Sequence, residues 1–312
     1  MFVSIVVPCY NEETALPIFY TELARVLDDL PDYRFELLFI NDGSGDGTLS
    51  VMRSLAEKDA RIKYLSFSRN FGKEAGIYAG LSNAEGELVA VMDADMQDPP
   101  SLLPQMLKLL REEDCDCVAT RRVTRAGEPP IRSWFARRFY KLINKISDVE
   151  IVDGARDFRL MRRPMADAIV KMGEYNRFSK GIFAWVGFKT RWLEYENIER
   201  VAGETKWSFW SLCKYAVDGI LGFSQAPLRI TSWGGIFMTV FAMLMVVFLV
   251  LRRLIFGDPV QGWASLACII VFVSGLQLFG IGILGQYLAK TYMEVKRRPL
   301  YIVAESNKYD VK

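Results

Sequence analysis

Short apolar runs recur through the first part of the chain. Each has the length of a strand, and most of its consecutive positions are apolar. Strands that are buried on both faces of a parallel sheet have this pattern. The predicted strands are residues 2–7, 35–40, 62–67, 88–92 and 117–119.

Helical periodicity fills segments between these runs. The periodic apolar positions are Leu16, Phe19, Leu23, Val26 and Leu30, and then Leu102, Met106, Leu109 and Leu110. Strands that alternate with helices predict an α/β domain on a mostly parallel sheet. Ligands of such sheets bind at the carboxyl ends of the strands. A later segment around Arg191 and Trp192 predicts one more strand.

Charged residues disappear from two long stretches near the C-terminus, residues 233–251 and 259–289. Each stretch is close to or above the roughly 20 apolar residues that span a hydrocarbon core. Because both are apolar on every face, we expect two transmembrane helices joined by the short connector RRLIFGDPVQ. A helix pair buried in a soluble protein is the alternative.

Basic residues flank the two predicted spans unevenly. Those at the outer ends are Arg229, Lys290, Lys296, Arg297 and Arg298, and those at the connector are Arg252 and Arg253. The outer excess predicts that residues 1–228 and the tail 290–312 are cytoplasmic.

Residues 131–146 place large apolar side chains on one stripe and basic side chains largely off it. This pattern is typical of a helix at a membrane interface. A helix docked on the sheet with a solvated basic face is the alternative. Residues 207–224 form a second such segment, which leads into the first predicted span.

Composition narrows the available chemistry. The 39 Lys and Arg nearly balance the 37 Asp and Glu, so no global basicity indicates nucleic-acid binding. The absence of histidine excludes imidazole bases, His-ligated zinc and His-dependent nucleophiles. The five scattered cysteines form no disulfide framework, so we expect reduced thiols. Acid–base chemistry therefore falls to carboxylates, Lys, Tyr, Cys or the substrate.

The first two predicted strands end in polar motifs, PCYNEE at residues 8–13 and NDGSGDGT at residues 41–48. Asp42 stands at a strand tip, and the glycines after it permit a tight turn into a helix. Such a turn lets the backbone approach a ligand, although a plain strand-to-helix turn has the same pattern.

The fourth predicted strand runs into the motif DADMQDPP. Asp93, Asp95 and Gln97 alternate there, which puts two carboxylates and an amide oxygen at one strand tip. Mg²⁺ or Mn²⁺ that bridges substrate phosphates prefers such hard oxygen ligands. The motif therefore predicts a metal site, with a structural loop as the alternative.

These segments together resemble family-2 glycosyltransferases of the GT-A fold. The closer resemblance is to polyprenyl-phosphate glycosyltransferases, which include the dolichyl-phosphate mannose synthases and bactoprenol glucosyltransferases. It covers almost the whole chain and includes SRNFGKEAGIYAGL, ARDFRLMRR, GETKWSFWSL and GILGQYLAKTYMEVKRRP. It implies a GT-A (Rossmann-like) α/β domain, with a mostly parallel sheet, followed by interfacial helices and two C-terminal transmembrane helices.

The resemblance also implies roles for single residues. Pro8, Tyr10, Glu12 and Asp42 would surround the base and ribose of a nucleotide sugar, with Asp93 beside ribose and metal. Asp95 and Gln97 would coordinate the Mg²⁺ or Mn²⁺ on the diphosphate.

Further positions are implied on the reacting side. Asp157 matches the proposed catalytic aspartate of the family, which orients the acceptor or takes a residual proton. Lys206 would reach the diphosphate or the acceptor phosphate. Arg121 and Arg132 are the candidates for binding the lipid phosphate, with solvated surface charge as the alternative.

The implied reaction is inverting, metal-dependent transfer of one sugar from a nucleotide sugar to undecaprenyl (bactoprenol) phosphate. Glucose from UDP-glucose is expected first, with UDP-N-acetylglucosamine or GDP-mannose as alternative donors. A protein or growing glycan as acceptor, and a catalytically inactive membrane-anchored sugar-nucleotide-binding protein, stay as competing hypotheses.

The expected organisation follows. A cytoplasmic catalytic domain at 1–228, with its nucleotide-sugar half at 1–120, precedes two spans at 229–289 and a cytoplasmic tail at 290–312. A multi-pass protein of the bacterial inner membrane is expected. Small residues at Gly275, Gly282 and Ala289 favour close helix approach, so we also expect a homo-oligomer.

Overall fold

The computed structural model describes residues 1–123, 138, 144–146, 152–196, 217, 219–256 and 262–311. Most of the two predicted interfacial segments, 131–146 and 207–224, lies outside these residues. Arg132 and Lys206 lie outside them as well.

All five apolar runs are strands. Their bounds are β1 Phe2–Cys9, β2 Arg34–Asn41, β3 Ile62–Phe67, β4 Leu88–Val91 and β5 Cys117–Arg122. The helices between them are α1 Ala15–Asp28, α2 Thr48–Lys58, α3 Lys73–Asn83 and α4 Leu103–Glu112. The predicted alternation of strands and helices is confirmed.

The remaining elements of the sheet domain come from the second half of the chain. They are β6 Ala155–Arg162, α5 Arg163–Lys171, α6 Ser179–Trp185, β7 Thr190–Tyr195 and β8 Val303–Ser306. Strand β7 confirms the predicted late strand.

A single mixed sheet has the order β7-β5-β6-β4-β1-β2-β3-β8. Strands β3, β2, β1 and β4 are parallel neighbours, as are β5 and β7. Strand β6 is inserted antiparallel between β4 and β5, and β8 pairs antiparallel with β3. Because β6 runs the other way, its first residues lie at the carboxyl end of β4.

Apolar layers cover both faces of the sheet. Phe19, Phe39 and Phe158 are fully buried in one layer, and burial of each such side chain contributes about 1.5–3 kcal/mol. On the other face, a Cβ at Gly80 would lie 2.0 Å from the Val6 side chain. Only glycine therefore lets α3 lie directly on β1.

The tail folds back onto the sheet edge through β8. The Glu305 carboxylate accepts hydrogen bonds from Arg53 Nε at 2.8 Å and from the Tyr64 hydroxyl at 2.8 Å. Lys308 Nζ lies 2.8 Å from Glu36 Oε2 and 3.0 Å from Glu85 Oε1. The sequence predicted no structure for this segment because its only strand is four residues long.

Two helices follow the sheet domain, α7 Ala226–Phe256 and α8 Trp263–Val295. Both are long and apolar enough to cross a membrane, and their most apolar stretches contain no buried residue. This exposure contradicts the alternative of a helix pair buried in a soluble protein. Helix α7 continues to Phe256, so the first half of the predicted connector RRLIFGDPVQ is helical.

Contacts join the two helices to one another and to the sheet domain. The Ser224 hydroxyl accepts the N–H of Ala226 at 3.1 Å, and the Tyr287 hydroxyl donates to the Ser224 carbonyl at 2.6 Å. Near the end of α8, Glu294 accepts the N–H groups of Tyr175 and Asn176 at 2.8 and 3.2 Å. The end of α8 is therefore held against the loop before α6.

Removal of the Lys308 ammonium tests how strongly the tail is docked. Lys308 and Glu36 are only 11% and 8% exposed. Lys308→Ala leaves a buried carboxylate without its cation, which should lower the free energy of unfolding by about 3 kcal/mol. Thermal unfolding in detergent measures the loss.

Lys189→Ala is the matched control, because Lys189 pairs with Asp114 at an exposed site and its removal should change little. Burial opposes ionisation of Glu36, yet hydrogen bonds from Lys308 and Ser4 lower its pKa. The stabilisation is therefore present above the ordinary carboxylate pKa and is lost as the pH falls. Equal stability of Lys308→Ala and wild type would contradict the docked tail.

Candidate active site

The polar motifs after β1 and β2 form one hydrogen-bonded unit. The Asn11 N–H donates to Ser44 Oγ at 2.9 Å, and the Gly45 N–H donates to Asn11 Oδ1 at 2.9 Å. The Glu12 N–H donates to Thr48 Oγ1 at 2.9 Å. Asn11 adopts a left-handed backbone conformation with φ 53°. The two loops therefore make one wall at the carboxyl edge of the sheet.

The predicted nucleotide-binding residues differ in exposure at this wall. Tyr10 is 40% exposed, whereas Pro8 and Glu12 are half-buried. Pro8 lies beneath Gly76 of α3, where an added Cβ would come within 3.3 Å of the proline ring. The wall therefore offers an exposed aromatic ring, and nucleotide contact by these three residues stays a prediction.

Asp42 uses its carboxylate to shape the loop before α3. Its oxygens accept the N–H of Phe71 at 2.6 Å and that of Gly72 at 2.9 Å, and the residue is 3% exposed. Burial raises the pKa of Asp42, although these hydrogen bonds oppose the shift. Next to it, Gly43 has φ +60°, and a Cβ there would lie 2.2 Å from the Arg69 backbone. Asp42 thus fixes the start of α3, and its predicted contact with ribose stays a prediction.

Asp93 and Asp157 are brought together by the antiparallel pairing of β4 with β6. Val91 pairs with Arg159 in the register. Asp93 comes two residues after Val91, and Asp157 comes two residues before Arg159, so the same antiparallel ladder directs them to one place. Both residues therefore lie at one place in the structure, where they share a contact with Lys73.

A lysine joins the two carboxylates. Lys73, the first residue of α3, places its Nζ 2.7 Å from Asp93 Oδ1 and 2.5 Å from Asp157 Oδ2. The side chain of Lys73 is 41% exposed, whereas those of Asp93 and Asp157 are 18% and 16% exposed. One ammonium thus bridges two mostly buried acids.

The charges of this cluster shift its pKa values. Burial opposes the charge on Lys73, but the carboxylates of Asp157 and Asp93 raise the Lys73 pKa above its ordinary range. Burial also opposes ionisation of Asp157, but the charges of Lys73 and Lys180 hold the Asp157 pKa well below its ordinary value. Burial raises the pKa of Asp93, with Lys73 opposing. Lys73 and Asp157 therefore stay charged at neutral pH.

Arg156 on β6 orders the loop that carries the metal motif. Its Nη2 donates to Gln97 Oε1 at 3.1 Å, and its Nε donates to Asp98 Oδ1 at 3.0 Å. Asp95 Oδ1 accepts the Gln97 N–H at 3.1 Å, and Met96 between them has φ 61°. The motif is therefore a tight turn fixed from a neighbouring strand.

The donor set of this turn fits a divalent cation that also binds phosphate. Within the described ranges, no three acidic or thiol side chains form a complete cage. Mg²⁺ in phosphate-transferring sites needs only one or two carboxylates, because substrate oxygens supply other ligands. Asp93 already attracts a cation, the Lys73 ammonium, and Asp95 adds a second carboxylate. Gln97 Oε1 accepts a bond from Arg156 and has a second lone pair for a metal.

Arg121 forms an ion pair on the other side of β6. Its Nε donates to Glu194 Oε1 on β7 at 2.9 Å, and its side chain is 38% exposed. A lipid phosphate would have to compete with Glu194 for this guanidinium. The predicted role of Arg121 in phosphate binding therefore stays a prediction.

Three residues of the site were not predicted from the sequence, namely Lys73, Arg156 and Glu74. Glu74 Oε2 accepts the N–H of Ser179 at 2.9 Å and so caps α6, which places Lys180 close enough to affect Asp157. A signal for Lys73 was present: a cation in the first turn of a helix opposes the helix dipole. A lysine in that position does not stabilise its own helix, which indicates that its charge interacts with groups elsewhere in the fold.

Comparisons with known proteins show the family of the chain. The profile of Glycosyl transferase family 2 matches residues 4–170. The chain is 42% identical over 308 residues to the prophage bactoprenol glucosyl transferase homolog of Escherichia coli (strain K12), with 99% of this chain and 100% of that protein covered. It is 42% identical over 303 residues to the bactoprenol glucosyl transferase of Shigella phage SfV, with 97% and 98% covered.

Among solved structures, the mannosyltransferase PcManGT of Pyrobaculum calidifontis, in complex with GDP-Man and Mn²⁺, is 15% identical. It aligns with a TM-score of 0.49 over 92% of this chain and 86% of that chain. The sheet and the family profile define a glycosyltransferase with the GT-A fold. The chain belongs to glycosyl transferase family 2.

Substitution of Asp95 tests the metal site. Asp95→Asn removes a carboxylate charge without changing the size of the side chain, so it should weaken Mn²⁺ binding and lower kcat on the order of 100-fold. Mn²⁺ titration followed by electron paramagnetic resonance gives the affinity. Asp32→Asn, at an exposed position before β2, is the matched control. Full activity of Asp95→Asn in chelator-treated buffer would overturn the assignment.

Proposed function

We propose that the protein transfers one sugar from a nucleotide sugar to undecaprenyl (bactoprenol) phosphate at the cytoplasmic face of the bacterial inner membrane. Glucose from UDP-glucose is the first candidate donor. UDP-N-acetylglucosamine and GDP-mannose are the alternatives, because the described contacts include no sugar-specific one.

The main support for this proposal is that one chain combines a glycosyltransferase sheet domain with two exposed apolar helices. A water-soluble acceptor needs no such anchor, whereas a lipid phosphate lies at the bilayer surface. The relatives that are 42% identical along nearly the whole chain are called bactoprenol glucosyl transferases. Their names support the same class of acceptor here.

The contacts at both ends of the helix pair support one orientation. The start of α7 is linked to α8 through Ser224, and the residues after α8 return to the sheet as β8. Both outer ends of the pair therefore lie beside the sheet domain. Basic residues cluster at these ends, which favours the cytoplasmic side for the domain.

The proposed reaction is a single displacement with inversion. An oxygen of the acceptor phosphate attacks the anomeric carbon of the sugar and forms the new C–O bond. The bond from that carbon to the diphosphate breaks, and its electron pair leaves with the nucleoside diphosphate. When bound, Mg²⁺ or Mn²⁺ held by Asp93, Asp95 and Gln97 supplies positive charge to the diphosphate. Lys206, outside the described residues, keeps its predicted place beside the diphosphate or the acceptor phosphate.

The acceptor needs little help to lose a proton. A phosphate monoester with a second pKa near 6 is largely ionised at neutral pH. The pKa of Asp157 lies well below its ordinary value because of Lys73 and Lys180, so Asp157 is poorly matched to proton removal near neutral pH. We infer that Asp157 orients the acceptor through the ammonium groups beside it, with proton removal as the alternative.

A panel of donors and acceptors tests the proposed function directly. The protein in lipid nanodiscs is given UDP-glucose, UDP-N-acetylglucosamine or GDP-mannose, with undecaprenyl phosphate, a glycan or a peptide. We expect nucleotide release and a glycosylated lipid, detected by mass spectrometry, only with undecaprenyl phosphate. A product on the glycan or peptide alone would contradict the acceptor. Nucleotide binding without any product would favour the inactive binding protein.

The pH profile of Asp157→Asn distinguishes orientation from proton removal. We expect kcat to fall on the order of 100-fold with unchanged donor KM, because Asp157 lies on the reacting side. If Asp157 orients the acceptor, the residual rate should rise with acceptor ionisation near pH 6.

Asp167→Asn, at an exposed position of α5, is the matched control. If raising the pH does not increase the residual rate, Asp157 is an obligatory base and the orienting role is wrong. Loss of nucleotide affinity in Asp157→Asn would refute both roles.

A further inference from the structure

Lys73 occupies the position in which the site needs positive charge. Its Nζ lies 2.7 and 2.8 Å from the two oxygens of Asp93, and 2.5 Å from Asp157. Asp95 stands two residues from Asp93 on the same turn. Without Lys73, the mostly buried carboxylates of Asp93 and Asp157 would lose the one ammonium that contacts both of them in the described part of the chain.

A divalent cation on Asp93 would bind through one or both of the carboxylate oxygens that Lys73 now contacts. Two positive charges within a few ångströms repel one another, most strongly where water is excluded. The bridging ammonium and a bound metal therefore oppose one another at Asp93. Since the Lys73 side chain is 41% exposed, it has room to leave.

We propose that Lys73 is an internal counter-ion, a positioning residue that holds Asp93 and Asp157 together until the metal and donor displace it from Asp93. It stays tethered to Asp157 by the second ion pair and keeps that carboxylate oriented. This inference rests on the metal site of the proposed function, but it names no sugar and no acceptor.

The direction in which metal affinity changes distinguishes a counter-ion from a residue that supports the metal ligands. Removal of a residue that merely supports a metal ligand lowers metal affinity or activity about 10- to 100-fold. A counter-ion that competes with the metal has the opposite effect on affinity. Neutral substitution of Lys73 should tighten Mn²⁺ binding on the order of 10-fold, while kcat falls because Asp157 loses its partner.

The experiment titrates Mn²⁺ into the full-length protein without nucleotide or lipid and measures free Mn²⁺ by electron paramagnetic resonance. We expect tighter binding to Lys73→Met and near wild-type binding to Lys73→Arg, which keeps the charge. Lys58→Met, which removes an exposed lysine of α2, is the matched control and should change nothing. Thermal unfolding verifies that each variant is folded.

If Lys73→Met does not fold, Lys73→Gln provides a second neutral variant. Its side-chain amide keeps a hydrogen-bond donor between the carboxylates. Unchanged or weaker Mn²⁺ binding by a folded neutral variant would overturn the proposal. Turnover supplies a second measurement, in which Lys73→Arg should recover part of the kcat lost in Lys73→Met. Because the Mn²⁺ titration uses no substrate, its failure is distinguishable from failure of the proposed sugar transfer.

Discussion

The antiparallel pairing of β6 with β4 is the constraint on which the rest of the site depends. Parallel strands alone would gather side chains from their own carboxyl ends. The reversed strand instead brings its first residues to that edge, and the register that pairs Val91 with Arg159 directs Asp157 towards Asp93. Two mostly buried acids at one place require a cation, and Lys73 supplies it. The pairing therefore determines both the geometry and the charge of the site.

The surrounding contacts hold this cluster from several sides. Asp42 binds the loop that starts α3 and so places Lys73. Arg156, one residue before Asp157, fixes the turn that carries Asp95 and Gln97. These contacts use charged hydrogen bonds within partly buried surroundings, where such bonds are stronger than in water. The edge is thus ordered by the chain itself, which is the pre-organisation that electrostatic catalysis requires.

Local pattern accounts for much of the fold. The five predicted strands are apolar runs, and the exposed apolar helices follow from uncharged stretches. Strand β6 was missed because charged residues interrupt its apolar pattern. One of them, Arg159, is nevertheless buried, and its guanidinium carbon lies 3.4 Å from the centre of the Phe183 ring. Strand β8 was missed because it is short and pairs with a strand far away in sequence. The bridge by Lys73 likewise depends on three distant segments, so no spacing in the sequence indicates it.

A distance between labelled nuclei tests the central claim most directly. Solid-state NMR on the protein in lipid, labelled with ¹⁵N at lysine side chains and ¹³C at aspartate carboxyls, reports how close Lys73 Nζ lies to Asp93 and Asp157. The account predicts strong dipolar coupling from Lys73 to both carboxyl carbons in the donor-free protein, consistent with N–O separations within about 4 Å. Coupling to neither carboxylate, in a sample whose Lys189–Asp114 coupling is intact, would contradict it.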